Sequence, residues 1–337
     1  MAAEDAAQRR PRARRRIPRA PAVPTPARAR LAAEMLLARG TLHRYGADRD
    51  QHAELYLPRG AGPHRLVVLI HGGSWQKRYG KRVTRALARD LRRRGLAVWN
   101  IEYRRLGNGG GWPHTFADVG AAIDHLRALD APLDLERVSV VGHSAGGHLA
   151  LWAAGRERLA PDAPGAPAAG GTPDPAHAGA RAAEHAGGVR ITRAVALAGV
   201  CDLEGAYRLW RGGSVRALLG GSPEQRPERF AVADPMAHVP LQMPVLLVHG
   251  VQDATVSVEL SRSYARAAAA AGASVELTEL TGGEGHHRAH IDPRSAAWRT
   301  AAAWLEGVSR PPEVRPDARP EAYSESERAS ATSRRTP

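Results

Sequence analysis

Cysteine is nearly absent from this chain of 337 residues: Cys201 stands alone. That excludes an intrachain disulfide and any cysteine-held metal site. Phenylalanine is scarce as well, at two residues, and all aromatics together make up 5%, so a core must be built mainly from aliphatic side chains. No apolar run approaches the roughly 18–20 residues that span a bilayer. The N-terminus has the positive charge of a secretory signal without its apolar centre, because Pro18, Pro21, Pro24 and Pro26 interrupt it. A cytoplasmic location is therefore expected. Missing too are a His-Glu-x-x-His helix, a phosphate-cradling Gly-x-x-x-x-Gly-Lys-Ser/Thr loop and a Gly-x-Gly-x-x-Gly turn after a first strand. No metal, nucleotide or other cofactor is implied.

What is abundant is arginine. The formal charge is +14, from 48 Lys and Arg against 34 Asp and Glu. Half of the excess (+7) falls in residues 1–30, with nine Arg and only Glu4 and Asp5 opposing them. An arm of this composition has no apolar period and is expected to be disordered. No aromatic-interleaved basic patch accompanies it, so a nucleic-acid partner is not expected. Residues 31–309 read as one domain interrupted by a flexible Ala/Gly/Pro-rich insertion at about 159–188, and residues 310–337 as a disordered tail. Oligomeric state is not legible.

Within the domain, short apolar runs alternate with helical patterns. Strands are expected at 52–58, 66–70, 96–103, 138–142, 191–200, 244–249 and 275–280. Helices are expected at 27–39, 81–94, 115–129, 144–156, 256–271 and 295–308. Such alternation implies an α/β fold: a mostly parallel central sheet with helices on both faces.

The most informative stretch is Val138-Ser139-Val140-Val141-Gly142-His143-Ser144-Ala145-Gly146-Gly147-His148. A hydrophobic strand runs into Gly-x-Ser-x-Gly and then into a small-residue helix, the setting in which a serine is presented as a nucleophile on a tight elbow. A serine hydroxyl needs a base, and the base an orienting carboxylate. In chain order the acid should follow a later strand. Asp253, in the loop after residues 244–249, fits, and Asp202 is its rival. The base should follow the last strand, where His286 and His287 are adjacent candidates; His290 reads as a surface residue, and His143 and His148 as packing or hydrogen-bonding residues. Oxyanion donors are expected from the backbone N–H of Ala145 and from the loop His71-Gly72-Gly73-Ser74-Trp75, chiefly Gly73 and Ser74, with His71 bracing the loop. Trp75, Trp112 and Trp210 are candidates for an apolar substrate pocket. Arg104, Arg105 and Asn108 are candidates for gripping a carboxylate.

These motifs resemble the α/β-hydrolase superfamily over about residues 50–308, in its esterase, arylformamidase and hormone-sensitive-lipase-like branches. The matching pieces are His71-Gly72-Gly73-Ser74-Trp75-Gln76, Gly142-His143-Ser144-Ala145-Gly146-Gly147-His148, Leu247-Val248-His249-Gly250 through Asp253, and His287. In relatives an Ile-Asp-Pro-like stretch follows the base by a few residues. Ile291-Asp292-Pro293 lies four beyond His287, which favours His287 over His286, although Arg288 stands where an aromatic is more usual. The resemblance implies cleavage of carboxylic esters through a Ser144–His287–Asp253 relay with water as second substrate. N-formylkynurenine or a related amide is the alternative substrate, and an inactive hydrolase-fold binding protein is the third reading.

Overall fold

The computed structural model describes residues 40–167 and 188–307. The Arg-rich arm, the helix expected at 27–39, most of the insertion and the C-terminal tail lie outside them. Among the described residues eight strands make one sheet: β1 (Thr41–Arg44), β2 (His52–Tyr56), β3 (His64–Ile70), β4 (Ala97–Ile101), β5 (Leu133–His143), β6 (Arg193–Leu197), β7 (Val245–Gly250) and β8 (Val275–Leu280). Their order across the sheet is β1-β2-β4-β3-β5-β6-β7-β8. The pairs β1/β2 and β2/β4 are antiparallel and all others are parallel.

β3 shows why the sheet must be covered twice. Its run is continuously apolar, and because side chains alternate across a strand, Leu66, Val68 and Ile70 join the core on one face and Val67 and Leu69 the core on the other. The second face is closed by α1 (Arg85–Arg93), through Leu87 and Leu91, and by α8 (Ala296–Glu306), through Trp298 and Ala302. The first is closed by α2 (His114–Asp124), α3 (Ala145–Gly155) and α7 (Val258–Ala270), which bring Phe116, Leu149 and Tyr264.

Several expected bounds shift. The helices expected at 81–94 and 115–129 each include a 3₁₀ turn, Lys81–Thr84 and His125–Ala128. The strand expected at 138–142 begins at Leu133, because a register shift between Arg65 and Leu66 lets its polar first half pair with β3. Three helices of seven residues, α4 (Leu203–Leu209), α5 (Gly213–Leu219) and α6 (Pro227–Ala233), fill the segment between β6 and β7. The described start of the insertion, residues 159–167, runs as turns. It meets the body where the Arg156 guanidinium reaches the Gly165 carbonyl at 3.5 Å.

The loops after β3, β5, β7 and β8 all leave the C-terminal edge of the parallel strands, where open α/β sheets place their sites.

Candidate active site

Ser144 sits at the junction of β5 and α3 with φ 57° and ψ −121°, a conformation that a non-glycine residue adopts only under constraint from its surroundings. The constraint is visible. Its N–H donates to the Leu197 carbonyl at 2.9 Å, and its carbonyl accepts from Gly147 at 2.8 Å and from Val200 at 3.3 Å. The elbow also needs glycine. A Cβ on Gly142 would collide with the Gly146 carbonyl, and one on Gly146 with the Ile70 carbonyl. Ala145 opens α3, so its N–H has no partner within the helix.

Across from the elbow, Gly73, Ser74 and Trp75 have consecutive positive φ values of 116°, 52° and 55°. The loop is fixed from outside. Leu106 N–H donates to the Trp75 carbonyl at 2.7 Å, and Gln76 N–H to the Gly73 carbonyl at 3.0 Å. His71 is fully buried. Its Nε2 meets Glu102 Oε1 at 2.7 Å and its Nδ1 the Gly72 carbonyl at 2.8 Å, while its ring stacks on Tyr103 with centroids 4.4 Å apart. Glu102 also accepts from the Lys81 N–H at 3.0 Å and pairs with Arg105 at 3.0 Å. Burial alone would raise the Glu102 carboxyl, but His71, Arg105 and the Lys81 amide together hold it at about 2.

His287 Nδ1 and Asp253 Oδ2 are 2.6 Å apart. With Nδ1–H donated to the carboxylate, Nε2 is left to accept a proton. The other Asp253 oxygen accepts from the N–H groups of Thr255 at 2.8 Å and Val256 at 3.0 Å. Burial works against this charge, yet the nearby His249 ring, the hydrogen bond from His287 and the Val256 amide outweigh it and hold the Asp253 carboxyl far below the usual carboxylate range.

The structure thus brings Ser144 and His287 to one cavity of about 720 Å³, whose walls include Gly73, Ser74, Tyr79, Thr255 and Arg288. His286 lines it too but is exposed, and Asp253 meets His287. Asp202 is elsewhere: its carboxylate caps α4 through the Gly205 N–H at 2.6 Å.

Other expectations are corrected. His290 is not a surface residue but fully buried, because the 3₁₀ turn His287–Ile291 repeats every three residues and turns His290 inward beside His249, 6.3 Å between ring centroids. Trp75, Trp112 and Trp210 are not among the cavity walls. Trp75 is core, edge-on to His148, and the other two pack against the same core. Arg104 is committed to Asp118 at 2.7 and 2.9 Å, Arg105 to Glu102 and Asp50, and Asn108 to Asp50 and the Arg105 N–H. These side chains hold the Gly-rich loop together.

Two supports complete the arrangement: His143, expected as a packing or hydrogen-bonding residue, and His249, which went unread in the sequence. His143 Nε2 donates to the His287 carbonyl at 3.0 Å. His249, fully buried at the end of β7, lies 3.6 Å from Asp253 Oδ2 and is held by Ser261 Oγ at 2.7 Å and the Val256 carbonyl at 2.9 Å. Among the described residues no group of His, Cys, Asp and Glu is arranged to hold a metal ion, and no helix is long and apolar enough to cross a membrane.

The BD-FAE family model matches residues 53–267. The chain belongs to the BD-FAE family. It is a serine esterase-type α/β hydrolase, a carboxylic ester hydrolase by class, and its family is not specifically the hormone-sensitive-lipase-like branch that its motifs resemble. Solved structures share the fold. A truncated carbohydrate esterase from gut microbiota matches at 20% identity and TM-score 0.65, covering 80% of this chain and 97% of that one. A propionate-bound esterase from Thermogutta terrifontis matches at 23% identity and TM-score 0.59, covering 80% and 92%. An acetyl ester-xyloside bifunctional hydrolase from Caldicellulosiruptor lactoaceticus matches at 20% identity and TM-score 0.58, covering 80% and 97%. Comparison with curated proteins finds no match.

Proposed function

We propose that this BD-FAE family member cleaves small to medium carboxylic esters by two-step acyl transfer, with Ser144 as nucleophile, His287 as base and Asp253 as the orienting acid. The observation that carries this reading is the 2.6 Å His287–Asp253 contact beside a cavity that Ser144 and His287 share. His287 Nε2 takes the Ser144 proton as Oγ attacks the carbonyl carbon. Asp253 stabilises the imidazolium, which then protonates the departing alcohol oxygen. Water, activated by the same imidazole, attacks the acyl-enzyme and releases the acid and Ser144. The N–H groups of Gly73, Ser74 and Ala145 are assigned to the oxyanion, since they border the cavity or open α3 beside the nucleophile.

Ester is preferred to N-formylkynurenine because the family is one of carboxylic ester hydrolases, while Arg104, Arg105 and Asn108, expected to grip a carboxylate, are tied into the fold. The test is kcat/KM on short-chain aryl esters and on N-formylkynurenine, with Ser144→Ala alongside. Ser144→Ala should remove at least about four orders of magnitude. An undiminished Ser144→Ala enzyme sinks the mechanism, and a formamide preference of about 100-fold sinks the ester assignment.

A further inference from the structure

Among the described residues, no carboxylate stands in the walls of the cavity beside Ser144. Gln252, Thr255, His286 and Arg288 are among its polar lining residues, and Tyr79, Val83 and Ile291 line it as well. Arg288 is exposed and forms no ion pair among the described residues. Its neighbours are otherwise engaged: Asp292 pairs with Arg294 at 3.1 Å, and Glu284 accepts from the Ala296 N–H at 3.0 Å. The Arg78 guanidinium lies 4.9 Å from the ring centroid of Tyr79, which lines the cavity.

Chemistry decides which part of a substrate meets Arg288. In acyl transfer the base hands its proton to the leaving oxygen, so the alcohol portion must rest against His287. Arg288 is the next residue, about 3.8 Å along the chain at Cα, and lines the same cavity. A cation there meets the leaving group, whereas the acyl carbonyl oxygen is directed towards Gly73 and Ala145. Arginine presents a planar fork of N–H donors that matches a carboxylate.

We infer that Arg288 is a specificity-determining residue that selects esters whose alcohol portion carries a carboxylate. The inference rests on the Ser144–His287 assignment proposed above.

The test compares 4-acetoxybenzoate with 4-acetoxybenzamide, which share acyl group and shape and differ in leaving-group charge, each rate divided by the substrate's own hydroxide-catalysed rate. The wild type should favour the carboxylate in kcat/KM by about fivefold, the ratio that an exposed ion pair of about 1 kcal/mol gives. Arg288→Gln should bring that ratio to near one, Arg288→Lys should retain part of it, and 0.5 M NaCl should shrink it in the wild type. Because both rates come from one preparation, the ratio does not depend on how much of a variant folds. A wild-type ratio of one, or a preference that survives Arg288→Gln, overturns the inference. Loss of the Ser144–His287 reading would show separately, as hydrolysis of both substrates persisting in Ser144→Ala.

Discussion

His287 and His286 are adjacent in sequence and opposite in circumstance. His287 is held through Nδ1 by Asp253 and through its backbone by His143, whereas His286 is an exposed cavity residue. His287→Ala should therefore cost nearly as much kcat as Ser144→Ala, because members of a relay act as a unit, and His286→Ala should cost at most about tenfold. Steady-state kinetics on an aryl ester checks this, and the reverse ranking would move the base by one residue. The pairing of His287 with Asp253 was legible because strand-end motifs have fixed chemistry. His249 was not, since at the end of an apolar strand it reads as one more buried residue, and only the fold brings Asp253 and Ser261 to its ring.

At the level of elements, the loop assigned above to the oxyanion owes its shape to groups outside it. Glu102, at the end of β4, joins His71, the Lys81 amide and Arg105, so its loss should release the backbone that carries Gly73. Glu102→Gln keeps the volume and removes the charge. We expect kcat to fall about tenfold with a smaller change in KM, as donors aimed at the transition state lose alignment, and stability to fall by about 1–3 kcal/mol. Unchanged kcat with lowered Tm would make Glu102 a purely structural residue. The same segment shows where sequence reading runs short. Glycines at Gly72 and Gly73 announce a tight turn, but the anchoring partner lies 31 residues on, at Glu102. Likewise β1 escaped notice because four mostly exposed residues at a sheet edge carry no apolar pattern. Helices α4 to α6 escaped because seven residues are too few for a 3.6-residue period to show.

Across the whole molecule, buried histidines set the response to acid. Burial lowers His148 and His290 to about 4 each, and lowers His143 as well, with further repulsion from His287 and His290. A base whose folded pKa is depressed takes up its proton first in the unfolded chain. Its stabilising contribution is thus whole above about pH 6.5 and is lost as pH falls towards 4, on the order of 3 kcal/mol for each of His148 and His290. Glu102 and Asp253, depressed below their ordinary values, add losses below about pH 4.5. Asp234, raised to about 6 by burial, acts oppositely: its contribution is present in acid and fades as pH rises through 6, so it offsets part of the loss. Tm should drop by several degrees or more between pH 7 and 4.5, and a flat melting profile there would contradict this account. Residues 1–30 and 311–337 contribute no apolar period and no relay residue, so a protein lacking both should retain ester hydrolysis; a folded but inactive truncation would assign one of them to the site.

The N–H groups of Thr255 and Val256 donate to the same carboxylate that holds His287, and that makes them spectators able to testify. Backbone deuterium uptake at these two positions reads the hold of Asp253 on its own loop with no substrate present. Asp253→Asn keeps an acceptor oxygen but discards the charge that strengthens such bonds about twofold. In that variant both amides should exchange faster, while the Ser144 amide, bonded to Leu197 on another strand, keeps its protection. A probe of this kind would distinguish an enzyme that has lost its relay from one that has lost its fold, in a single spectrum and before any ester is added.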